Sequence, residues 1–203
     1  MSPQVTGLLM NWLTPLASLL GAVVGASVGA SLTHFLIARR EAAKITRDLK
    51  YLALRIAFLL EHFTVACASS LLDAKNYDGS NGAIGTKLEN LPELAAFPLD
   101  GDYSVFERPL LTQVLSFRLK VESANHSIAF EQNLSGEREA HGACQAVCLR
   151  MGLEASKLAD AVRNAYHLAP FELETTLWDY KAYLKRQRGL KRTIDLANSA
   201  TDA

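Results

Sequence analysis

The sequence predicts an all-α protein in which an N-terminal transmembrane helix leads into an antiparallel helical bundle with coiled-coil-like packing. Three observations carry that expectation. No Asp, Glu, Lys or Arg occurs from Met1 to Ala38, and charge then arrives abruptly as Arg39-Arg40. Beyond that boundary apolar residues recur in alternating steps of four and three, which puts one stripe of each helix against a partner. No segment shows the strict apolar–polar alternation of a half-buried strand.

The run from Leu16 to Ala38 rises about 34 Å as a helix at ~1.5 Å per residue, enough for a hydrocarbon core of ~30 Å. Trp12 suits the interface and Pro15 a first helical turn. A cleavable signal peptide opens with a positive segment and has a shorter apolar core of about 7–15 residues. No positive side chain precedes the run here, so it reads as a retained anchor, although Ala26-Ser27-Val28 imitates a cleavage site. Residues 39–50 hold Arg39, Arg40, Lys44, Arg47 and Lys50 against Glu41 and Asp48, while residues 1–15 carry no charged side chain. Lys and Arg are retained on the cytoplasmic side, so the amino terminus faces out and the remainder faces in. The expected organisation is an external N-terminus at 1–15, a single span at 16–38, a cytoplasmic helical bundle at 39–190 and a flexible tail at 191–203.

Ala17, Gly21, Gly25 and Gly29 fall every fourth position along the span, beside a second small row of Ser18, Ala22, Ala26 and Ala30. Lipid tails are as apolar as Leu, so membrane helices gain from close backbone approach, which small residues permit. This face is the candidate helix-packing site, and it points to a homo-oligomer.

The first soluble stripe runs Ile45, Leu49, Leu52, Ile56, Leu59, Phe63 and Ala66. Arg55 and Glu61 fall off it, which argues against a second span and for a helix ending near Lys75. Residues 76–104 are rich in Gly, Asn and Pro and read as a long loop, with Leu91, Leu94, Phe97 and Leu99 packing its second half down. Ser104-Val-Phe-Glu107 matches a capping box, while Pro109 argues for a start nearer Arg108. The next stripe is Leu110, Val114, Phe117, Val121, Ala124 and Ile128, broken at Ser135-Gly136. A helix from about Glu137 to Leu168 follows, with Ala140, Cys144, Val147, Met151, Ala155, Leu158, Val162 and Ala165 in line. Pro170 is expected to end it and to open a shorter helix, Phe171 to about Arg188, carrying Leu173, Leu177, Trp178 and Leu184.

Composition bounds the chemistry. The chain has 21 basic and 21 acidic residues, but between Arg55 and Tyr180 there are 10 basic against 17 acidic. A nucleic-acid surface wants a basic face, so nucleic acid is not an expected partner. Cys67, Cys144 and Cys148 would sit in a reducing compartment, where structural disulfides are not expected. His141, Cys144 and Cys148 share a helix face and, with Cys67 or His62, offer soft zinc ligands. The spacing matches no common zinc motif, and Cys144 lies on the apolar stripe as a small hydrophobe, so neither metal nor cofactor is expected. Glu122–His126 and Glu137–His141 are four apart instead of the three a di-iron bundle needs. The Gly79–Lys87 stretch lacks the adjacent Gly-Lys of a phosphate loop and follows a helix. No nucleophile motif surrounds any Ser or Cys. His34 near the inner end of the span can reach headgroups. Lys181, Lys185 and Arg188 share a helical face after Trp178 and Tyr180, and with Arg39, Arg40 and Lys44 form the candidate membrane-surface contact, since anionic lipid attracts such charges.

Pro98-Leu-Asp-Gly-Asp-Tyr103, then Leu110 and Val114-Leu-Ser-Phe117, then Val121-Glu-Ser-Ala-Asn125, resembles a group of uncharacterised bacterial proteins with one N-terminal membrane helix and a cytoplasmic helical domain. The likeness covers residues 45–168 and rests on packing and loop residues. It implies a bacterial inner-membrane setting and brings no catalytic residue. The expected function is a non-enzymatic, membrane-anchored interaction or scaffold protein, with membrane lipid, further copies of itself and an unidentified protein as partners. The alternative is a small pore-forming or holin-like protein, disfavoured because one apolar helix makes a poor water-lined wall. An enzyme using the 76–104 loop as a lid would need an acid, base or nucleophile set that the sequence does not display.

Overall fold

The computed structural model describes residues 4–134, 137–171 and 178–201, and the side chains of 34–134, 139–171 and 178–191. Its elements are helix α1 (Gln4–Gly79), a 3-10 turn (Tyr103–Val105), α2 (Arg108–Leu134), α3 (Glu137–Ala165) and α4 (Tyr180–Thr201). There is no strand among the described residues. The chain divides into two units, Met1–Arg47 and Asp48–Ala203.

In the first unit the backbone is helical from Gln4, and every side chain from His34 to Arg47 is exposed, including Phe35, Leu36, Ile37 and Ile45. Helix α1 is long and apolar enough near the N-terminus to cross a membrane. Among the described side chains its most apolar window lies in His34–Gly79, with a mean hydropathy of 1.5, and is 56% buried within the protein. Most of the expected span, residues 16–33, lies outside the residues whose side chains are described.

The second unit holds the core. All six stripe residues of α2, Leu110, Val114, Phe117, Val121, Ala124 and Ile128, are buried. The stripe of α1 differs from the expected one. Ile45 is exposed, Leu59 and Ala66 are only half-buried, and the buried arc instead takes in Ala53, Leu60, Thr64 and Cys67 beside Leu52, Ile56 and Phe63. Two neighbours explain the difference. Phe63 meets Phe117 of α2 edge-on at 5.9 Å, while Glu61 pairs with Arg163 of α3. A helix contacted on two sides buries a wider arc than a single seam, and a straight helix drifts ~20° per heptad from a strict 3.5 repeat. On α3, Ala140, Cys144, Met151, Ala155, Leu158 and Val162 are buried as expected, with Cys148 and Ala159 added and Ala165 exposed.

Two helices stop in the same way. At the end of α1 the Gly82 N–H reaches the Tyr77 carbonyl at 2.8 Å and Asn81 that of Asp78 at 3.4 Å; Asn81 sits at φ 53°. At the end of α3, Leu168 N–H donates to Arg163 at 2.9 Å and His167 to Asn164 at 3.3 Å, with His167 at φ 52°. This is the paired 6→1 and 5→2 bonding of a left-handed C-terminal cap. It places the α1 end four residues past Lys75 and the α3 end at Ala165, ahead of Pro170.

One helix start falls where Pro109 placed it, with a different capping residue before it, and another differs from expectation. Asp102, not Ser104, is the capping side chain: its carboxylate accepts from the Ser104 N–H at 2.9 Å and from the Ser104 hydroxyl at 2.6 Å, closing the 3-10 turn. Helix α2 then begins at Arg108, with the Glu107 carbonyl accepting from Leu111 N–H at 2.8 Å, and Pro109 sits in the first turn where a missing N–H costs nothing. Helix α4 begins at Tyr180 instead of Phe171, because Asp179 caps it: its carboxylate accepts from Ala182 N–H at 2.9 Å. Phe171 lies outside any helix, α4 runs on to Thr201, and Leu173 and Leu177 lie outside the described residues.

The 80–102 connection is fastened along its length. Leu88, Leu91 and Phe97 are buried. Leu91 N–H donates to Asn125 Oδ1 at 3.1 Å, and Gln132 reaches the Glu89 carbonyl at 2.7 Å. Tyr103 donates to the Pro98 carbonyl at 2.7 Å, and Arg55 holds Asp100 at 2.9 Å. Between these last two ties Leu99 is turned outward and is 98% exposed, contrary to the packed position expected for it. Gly85 is at φ +87° with the Asp73 carbonyl oxygen 2.2 Å from where a Cβ would stand, and a Cβ on Gly101 would meet Leu52 at 2.5 Å. The positive φ and the close backbone exclude a side chain at Gly85, while one at Gly101 would require Leu52 to shift.

Candidate functional site

Of the residues weighed as metal ligands, the three cysteines and His141 are buried, while His62 is exposed. Cys67, Cys144 and Cys148 are free and buried, and burial pushes the Cys144 thiol up to about 12. The hydrogen bond with Cys148, and then burial, hold the Cys67 thiol well above its ordinary value. His141 has both ring nitrogens engaged elsewhere: Nδ1–H donates to the Leu88 carbonyl at 3.1 Å, while Nε2 lies 3.1 Å from Asp78 Oδ1. Gln145 donates to the other oxygen of Asp78 at 2.8 Å. The ring thereby joins α1, the 80–102 connection and α3. Among the described residues no group of three or more His, Cys, Asp or Glu converges.

A buried polar cluster was not foreseen from the sequence. Glu61, 1% exposed, accepts two bonds from Arg163, Nε to Oε1 at 2.5 Å and Nη2 to Oε2 at 2.7 Å. The third guanidinium nitrogen donates to the Ala169 carbonyl at 2.5 Å, and the ring of Phe171 lies 5.7 Å from the guanidinium carbon. The Tyr180 hydroxyl is buried beside this pair without a hydrogen-bond partner among the described residues. Burial first, then the carboxylates of Glu61 and Asp160, push its phenol up to about 12. The bidentate geometry satisfies both carboxylate oxygens, which is what allows such a pair to persist away from water.

Above this core lies a trough along α4. Gly152 lets three helices converge, since a Cβ there would stand 2.9 Å from Cys67 Cβ and 3.5 Å from Leu184. Lys181 fastens the start of α4 to Asp160 at 2.8 Å. Farther along α4 two adjoining cavities open. One, of about 400 Å³, has Leu149 and Leu153 as its floor and Arg150, Lys157, Arg188 and Lys191 at its rim. The other, of about 480 Å³, is lined by Leu71 and Lys75 of α1 with Leu149, Tyr183 and Leu190. Ala146, Leu149 and Lys191 belong to both. The acids at the rims are engaged within the protein, Glu154 by Lys120 and Asp78 by His141 and Gln145. Arg150, Lys157, Arg188 and Lys191 have no ion-pair partner among the described residues.

The residues singled out from the sequence separate accordingly. Ala17, Gly21, Gly25 and Gly29 fall in the helical backbone of α1, and their side chains lie outside the described residues. Arg39, Arg40 and Lys44 are exposed in the first unit. Of the three on α4, Lys181 is half-buried against Asp160, Lys185 is exposed, and Arg188 lines the trough. Arg150 and Lys157 escaped sequence reading because they join Arg188 and Lys191 only when α3 and α4 pack. Compared with protein families, characterised proteins and solved structures, the chain shows no match.

Proposed function

We propose that the chain is a non-enzymatic, single-pass protein of a bacterial inner membrane whose cytoplasmic helical domain is an interaction module. The observation that carries this reading is the charge-free stretch Met1–Ala38 followed at once by five basic residues within 39–50, with helix α1 running unbroken from Gln4 through that boundary. In this reading the amino terminus faces out, and Ala17, Gly21, Gly25 and Gly29 bring copies together. The domain is then an antiparallel bundle with coiled-coil-like packing. Supporting this, Glu61–Arg163 and Asp78–His141 pair α1 with α3 in opposite chain directions. Lys181–Asp160 and the Leu184–Gly152 approach do the same for α3 and α4.

A reporter fused after Ala203 tests the placement. A fluorescent protein there should fluoresce, and alkaline phosphatase in its place should be inactive. Phosphatase activity without fluorescence would reverse the topology, and a fusion recovered in the soluble fraction would remove the anchor.

A further inference from the structure

We infer that the trough beside α4 binds a single-chain anionic amphiphile, a long-chain carboxylate, with its chain over Ala146, Leu149 and Leu153 and its head among Arg150, Arg188 and Lys191. This goes beyond the proposed interaction role and does not depend on the anchor. Three features select the ligand. The floor is apolar, with buried Leu149 and half-buried Leu153 in one cavity and buried Leu71 in the next, where Leu190 stands 51% exposed at the margin. The two cavities, about 400 and 480 Å³, share Ala146 and Leu149 and so give one chain a continuous bed, within the ~300–1,000 Å³ of ordinary small-molecule sites.

The rim selects the head. Arg150, Lys157, Arg188 and Lys191 gather around that floor, while Glu154 is held by Lys120 and Asp160 by Lys181. Among the described residues that positive charge is not cancelled from within. A carboxylate fits it, and a guanidinium can meet both carboxylate oxygens at once. The edge of an apolar floor also lowers the local dielectric, which strengthens the contact.

The test uses full-length protein in phosphatidylcholine nanodiscs and a photoreactive palmitate analogue. In the soluble domain, cross-links should map by mass spectrometry to peptides spanning 142–157 and 183–191. They should be competed by palmitate and not by hexadecanol. The double variant Arg150→Gln/Arg188→Gln, altering two exposed side chains, should lower this labelling by about tenfold or more. Ala146→Phe should do the same by filling the floor with the charges intact, circular dichroism confirming the helix content of each. Cross-links elsewhere in the domain, equal competition by hexadecanol, or parental labelling of the double variant would each overturn the proposal. If the double variant labels normally but loses flotation on phosphatidylglycerol vesicles, the cations serve a bilayer surface and the carboxylate site falls.

Discussion

Helix α1 joins two stretches that hydropathy alone would treat alike. From His34 to Arg47 its described side chains are all exposed, apolar and charged together. From Leu52 to Ala74 it contributes the central strip of a core, and there it carries a carboxylate, Glu61, at 1% exposure. The most apolar described window belongs to this second part. What separates the two is pattern. Met1–Ala38 lacks charge on every face, whereas the later stretch spaces Arg55, Glu61 and His62 among its apolar positions and buries only Glu61, which Arg163 holds through both carboxylate oxygens. Apolar content measures how much of a helix avoids water; charge placement tells whether protein or lipid replaces it.

The sharpest way to break this contrast is to remove the partner of Glu61. Arg163→Leu should cost about 3–5 kcal/mol in denaturant unfolding, since it strands a buried carboxylate. The double variant Glu61→Leu/Arg163→Leu should recover much of that loss. A single variant as stable as the parent would mean that the pair is not buried in solution.

Next in size is a pair of glycines on one helix. Gly152→Ala forces a Cβ to 2.9 Å from Cys67 Cβ, whereas Gly142 has nothing within 4 Å. The first substitution should destabilise by about 1–3 kcal/mol through overpacking. The second should stabilise by about 0.5–1 kcal/mol through helix propensity. Changes of the same sign in thermal unfolding would deny the close approach of α1 and α3.

The lipid side of the contrast is tested at Gly25. Gly25→Leu should weaken self-association in a membrane dimerisation assay by about tenfold, or ~1.4 kcal/mol. Val24→Leu, about 100° round the helix, should matter less. Equal signals from both variants and the parent would make the small-residue register compositional.

The smallest effect concerns Tyr180. Its folded phenol lies at about 12 against an ordinary value of about 10. The unfolded chain therefore loses its proton first, and the stability contributed by Tyr180 is full below about pH 10 and falls as pH rises toward 12. Tyr180→Phe should flatten that alkaline slope and leave stability at pH 7 unchanged or slightly higher, because the hydroxyl it removes has no partner among the described residues. An unchanged slope in alkaline titrations would place the phenol in water.

How much of this was legible in the sequence depended on how many neighbours each element has. The α2 stripe could be read residue by residue, since Leu110 to Ile128 repeat without interruption and all six are buried. The stripe of α1 was only half legible, because contacts to both Phe117 and Arg163 widen its arc. Helix ends set by a left-handed cap at His167, or by Asp179 ahead of α4, were missed where Pro170 looked the stronger signal. The Glu61–Arg163 pair spans 102 residues, and no local pattern announces a partner so distant. The trough was hidden for the same reason: Arg188 stood out from its own segment, but Arg150, Lys157 and the apolar floor come from another helix.

The three thiols add something of a different kind. Cys67, Cys144 and Cys148 are each 0% exposed, on the facing helices α1 and α3. A water-borne alkylating reagent therefore finds no target in the closed molecule, and each modification event records an opening of that contact. The native chain carries its own clock, and its ticking can be followed without substituting a residue.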